Sequence, residues 1–107
     1  MAAVIAELKK RAPERWYAVF PGGDEPVTYL KVPERDARLE TMQKTVEGYV
    51  QWVPLGKPWE TYGLVVNEEG AYKFAGQLNT RAMALFGAHV HEGTLHGPVM
   101  VTANVCM

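Results

Sequence analysis

The sequence predicts an α+β domain: a mostly antiparallel sheet of five to seven strands, two main helices packed on one face, and a short N-terminal helix. Three observations lead there. β-rich segments are separated by clusters of turn formers. Only two internal segments carry apolar residues at helical spacing. The elements also lack the regular strand–helix alternation that builds a parallel sheet. A chain of 107 residues holds one core, so 1–107 is read as a single domain, with 1–13 as a short helix or arm and 16–105 as the core.

In chain order, Val4, Ile5 and Leu8 share one face of the opening helix, and Lys9, Lys10 and Arg11 lie near its C-terminal end, where positive charge is favoured. Pro13 stops it. This order of apolar then basic residues is the reverse of a secretory signal. Trp16–Phe20 and Val27–Val32 read as a hairpin about Pro21-Gly22-Gly23-Asp24-Glu25-Pro26. Leu39, Met42 and Val46 form the stripe of a helix over Arg35–Glu47, with Gly48 just past its end. Tyr49–Val53 reads as a strand, Pro54–Thr61 as a proline-stiffened loop, and Tyr62–Val66 as a buried strand. Asn67-Glu68-Glu69-Gly70 is expected to turn that strand back onto Ala71–Phe74, with Gly70 at positive φ. Asn79 caps a second helix, Thr80–Phe86, that ends at Gly87.

The last stretch is read as a hairpin about Glu92-Gly93. Alternation then turns Val90, Leu95, Val99, Val101, Ala103 and Val105 toward the core, and His89, His91, His96, Met100, Thr102 and Asn104 away from it. Pro98 suits an edge or a bulge, and a second copy pairing at that edge is one route to a homodimer.

Gln43-Lys44-Thr45-Val46-Glu47-Gly48-Tyr49-Val50, Val53-Pro54-Leu55, Val65-Val66-Asn67-Glu68-Glu69-Gly70 and Leu78-Asn79-x-x-Ala82 with Leu85 together resemble an uncharacterised domain family of small phage and bacterial proteins. The resemblance spans Leu39 to Val101. The longer front hairpin and the histidine-bearing stretch His89–His96 depart from the family pattern. The resemblance implies a viral or mobile-element accessory protein and brings no activity, cofactor or catalytic residue.

Composition narrows the function. Eleven basic against twelve acidic residues leave a net charge of −1, unlike a domain built to coat a nucleic-acid backbone. Residues 16–80 are acidic on balance, which opposes base stacking by their aromatic rings. No apolar run approaches the roughly 18–20 residues that span a bilayer. The single cysteine, Cys106, leaves no internal disulfide and points to a reducing, cytoplasmic setting. It is expected as an exposed tail thiol. The chain has no serine, and Glu68 and Glu69, adjacent in a turn, project apart rather than pairing as acid and base. No catalytic residue is assigned, and no cofactor.

Two groups remain. Tyr49, Trp52, Trp59 and Tyr62 bracket the stiff loop, and such rings dominate binding hot spots. The leading reading is therefore a non-catalytic module that binds a protein or small ligand there. The alternative reading is that Trp59 folds back over the sheet as a lid. The second group is His89, His91 and His96, which the proposed hairpin would gather on one face as a three-imidazole zinc site. That alternative function is a metal-binding protein or small metal-dependent enzyme. A nucleotide-binding decoy is a third, weaker reading, since the chain has no Gly-rich loop leading into a helix.

Overall fold

The computed structural model describes residues 2–90 and 93–107, apart from the side chains of Ala2 and His89. Its sheet is wholly antiparallel with five strands in the order β2-β1-β5-β4-β3. The strands are β1 (Trp16–Phe20), β2 (Thr28–Lys31), β3 (Val50–Pro54), β4 (Tyr62–Asn67) and β5 (Val99–Ala103). The helices are α1 (Ala2–Lys10), α2 (Arg38–Val46, entered through a 3-10 turn at Arg35–Ala37), α3 (Gly70–Lys73) and α4 (Thr80–Phe86). The fold class is the one expected.

Within it, the helices divide between the two faces rather than sharing one. Ala18, Phe20, Leu64, Val66, Val99 and Val101 pack with Val4, Ile5 and Leu8 of α1 and with Ala82 and Phe86 of α4. Tyr17, Val65 and Met100, the alternate residues of the same strands, pack with Met42 and Val46 of α2 and with Cys106. A sheet covered on both sides needs apolar residues at successive positions. Leu64, Val65, Val99, Met100 and Val101 supply them, all at 0 % exposure. Met100 and Thr102 accordingly point away from the first core, as alternation requires, yet both are buried. Cys106 is also buried, not an exposed tail thiol.

The expected β1–β2 hairpin forms, Trp16 opposite Lys31 through Val19 opposite Thr28, and β3 pairs with β4 across the stiff loop, Val50 opposite Asn67 through Pro54 opposite Gly63. Two expected hairpins do not form. After β4, the Asn67 side-chain oxygen accepts the Glu69 N–H at 2.8 Å, an Asx turn that leads into the helical turn α3 instead of a returning strand. Gly70 is not among the positive-φ glycines. Near the C-terminus, α4 runs on into a 3-10 turn at Gly87–His89, so His89 lies in a turn and not in a strand. The turn expected at Glu92 lies outside the described residues. β5 inserts between β1 and β4. Pro98 therefore precedes a central strand, and the free edges are β2 and β3.

Three local joints explain the segments singled out in the sequence. At the end of α2, Glu47 adopts the left-handed conformation (φ 63°, ψ 40°) and the Gly48 N–H returns to the Gln43 carbonyl at 3.0 Å. Gly48 sits so close to Asn67 that a Cβ would lie 2.6 Å from its Nδ2. That Nδ2 donates to the Val46 carbonyl at 3.0 Å. Asn79, fully buried, accepts the Ala82 N–H through Oδ1 at 3.1 Å and donates through Nδ2 to the carbonyls of Phe20 and Gly97. Both of its amide donors and one acceptor site of its oxygen thus join α4 to β1 and to the segment just before β5.

Candidate functional site: the groove beside β3

α4 and its 3-10 extension cover the centre of the sheet and leave its β3 margin open. There a groove of about 550 Å³ lies between β3, β4, the start of α3 and the segment leading into β5. Its walls include Gln51, Trp52, Val53, Pro54, Val66 and Leu95, and among the polar residues Asn67, Glu68, Thr94 and His96. That size lies within the range of small-ligand and peptide clefts, roughly 300–1,000 Å³.

Position in the sheet decides what each wall offers. Gln51 pairs with Val66 and Val53 with Leu64. The Tyr49 carbonyl accepts the Glu68 N–H at 2.8 Å, and the Leu55 N–H donates to the Tyr62 carbonyl at 3.2 Å. Odd-numbered residues of β3 thus hydrogen-bond to β4, so Val50 and Trp52 turn their N–H and C=O groups outward. His96 is fixed by neighbours on both sides: the Asn79 N–H donates to the Leu95 carbonyl at 2.8 Å and the Gly97 N–H to the Gln77 carbonyl at 3.0 Å. The Nδ1 of His96 is buried and has no hydrogen-bond partner among the described residues.

The four aromatic residues around the stiff loop do not form one surface. Trp52 lies on the α2 side, across Gly63 of β4, where a Cβ would collide with its ring. Trp59 and Tyr62 lie on the opposite side and pack partly buried against the first core. Tyr49 stands before β3, 72 % exposed. The loop is closed by two short turns, Trp59 N–H to the Gly56 carbonyl and Tyr62 N–H to the Trp59 carbonyl, each at 2.8 Å, and anchored by Leu55 at 2 % exposure. Burial, followed by the neighbouring Cys106 thiol, raises the Tyr62 hydroxyl above its ordinary pKa, so the ring is neutral at physiological pH.

Of the three histidines, His91 lies outside the described residues, the side chain of His89 is not described, and His96 lines the groove. Among the described residues no group of three or more His, Cys, Asp or Glu side chains converges as a metal site would. Glu68 and Glu69 are exposed and act through their backbone N–H groups. Trp52 and His96, both singled out in the sequence, line the groove, and Gln51 between Val50 and Trp52 adds a polar residue to it. Its other walls depend on β5 lying beside β4, which no local pattern encodes.

These features define a small antiparallel-sheet domain, helices on both faces, with no catalytic constellation among its described residues and an open groove at one sheet margin. Residues 18–106 match the family described as Domain of unknown function (DUF3846), and the chain belongs to that family. No curated protein and no solved structure matches it. Among the described residues no helix is long and apolar enough to cross a membrane.

Proposed function

We propose that this domain is a non-catalytic binding module that takes up an extended segment of a protein partner along β3. One observation carries the reading: a free edge strand with outward backbone groups at Val50 and Trp52 runs beside a groove able to receive a side chain. A segment added there as a sixth strand would gain main-chain hydrogen bonds from the edge and specificity from the groove, the usual division of labour in strand addition. Pro54 lacks an N–H and ends the pairing surface. The loop from Leu55 to Thr61 would flank the partner, with Trp59 as its exposed fraction allows. In a family found in phages and bacteria, such a module suits an accessory protein of viral or mobile-element type.

Capture of partners from host lysate by tagged protein tests this reading. Val50→Pro removes an outward N–H without removing a bond to β4. The expected result is a partner bound by the wild type and lost with Val50→Pro and with Gln51→Trp, while thermal unfolding shows both variants folded. Trp59→Ala measures the loop's share. A partner held equally by the wild type and by folded Val50→Pro overturns the reading.

A further inference from the structure

We infer a second binding site, at the opposite end of the sheet, for a small apolar anion such as a medium-chain or aryl carboxylate. A cleft of about 310 Å³ opens there between the N-terminal segment and the ends of β4 and β5. Leu8 and Trp16 form one wall, and Tyr62, Ala103 and Cys106 the other. The lining is dominated by carbon, so an occupant must offer an apolar body.

The mouth supplies the charge preference. Lys9 and Arg15 line it and are exposed, and neither is in an ion pair among the described residues. Lys9 Nζ lies 6.0 Å from the centre of the Tyr62 ring, at the edge of the cleft. The one acidic lining residue, Glu14, is engaged by Lys31 at 2.9 Å. The neighbouring Glu7 is likewise engaged by Arg11 at 2.9 Å. Two cations outside any ion pair among the described residues, over an apolar floor, complement an anion with a hydrophobic tail and disfavour the equivalent cation.

The site straddles the boundary of the family match. Its first wall comes wholly from residues before position 18, and its second from residues within the matched span. The cleft therefore depends on how α1 and the segment after it seat on the domain. Arg11 fixes that seating, stacked 4.7 Å from the Trp16 ring centre and 4.3 Å from that of Tyr29.

Cys106, the only cysteine of the chain, reports on occupancy. The experiment measures the rate of Cys106 alkylation by iodoacetamide in the full chain with decanoate, decanol or decyltrimethylammonium, all below micelle formation. Saturable protection by decanoate at concentrations where the other two protect far less is expected. The exposed double variant Lys9→Glu, Arg15→Glu is expected to weaken that protection about tenfold, as two partly screened charge contacts would. Amide shift changes must centre on Leu8, Trp16 and Ala103. Equal protection by decanol overturns the inference, as does decanoate binding unchanged in the double variant. Shift changes confined to the β3 groove also overturn it, and none of these outcomes bears on strand addition at β3.

Discussion

The carboxamide of Asn67, at the end of β4, donates to the carbonyl oxygen of Val46, the last residue of α2, at 3.0 Å. A single side chain thereby ties a helix terminus to a strand terminus, and its oxygen starts the next turn through the Glu69 N–H.

Replacing Asn67 by Ala removes both bonds and leaves the partner groups poorly solvated. The expected cost is about 2–3 kcal/mol in urea denaturation. Asn67→Asp keeps the acceptor for Glu69 but sets a carboxylate against the Val46 carbonyl, so it is expected to lose at least as much at neutral pH.

Gly63 has ordinary strand conformation, yet the Trp52 ring occupies the space a Cβ would need. Gly63→Ala is expected to destabilise by about 1–3 kcal/mol through displacement of the indole. In a Trp52→Ala background the same change should cost close to nothing. Denaturation of the two single variants and the double variant yields the coupling energy; additivity would show that the ring and the glycine do not interact.

The hydroxyl of Tyr17 donates to the Cys106 carbonyl at 2.9 Å in the interior. Burial first, and then the negative charge available at Cys106, raises its pKa above 10.0. The sign follows from proton binding. Between the unfolded and the raised folded value, the native state holds more protons than the unfolded state, so stability falls as pH rises. Its contribution is fully present below about pH 10 and is lost through the folded value. Tyr17→Phe should lower stability at pH 7 by about 1 kcal/mol and flatten the loss above pH 10, read from urea midpoints against pH.

Arg11 is held by two rings and by Glu7 at 2.9 Å. Arg11→Ala is expected to cost about 1 kcal/mol. Amide exchange should accelerate first in α1, with β4 and β5 least affected.

Which parts of this architecture were legible follows from how local each signal is. The β1–β2 hairpin carried its own turn chemistry between residues 21 and 26, α2 its Met42 and Val46 spacing, and α4 its Asn79 cap, and all three form, although Leu39 of the α2 stripe stays exposed. The reading failed where a partner is distant. Alternation in Val99–Ala103 is compatible with any antiparallel neighbour, and a nearby Glu-Gly pair suggested the nearest one. The actual partners, Phe20 and Val66 opposite Val99, lie far back in the chain. The unbroken apolar run through Met100 was the overlooked sign of a strand covered on both faces, and so of helices on both sides. At the site, the aromatic residues were visible but their division between opposite faces was not, because it follows from the parity of Trp52 and Tyr62 in β3 and β4.

The strand in the middle of the sheet is the last strand made. During synthesis β1–β2 and β3–β4 can each close as a hairpin as they leave the ribosome, but both halves keep an unsatisfied inner margin until residues 99–103 arrive to bridge them. Nascent chains halted before that point present two sticky borders and no joint core, a state open to chaperones and to aggregation. Maturation of this domain is therefore a closing event, set by the docking of β5 between the two hairpins.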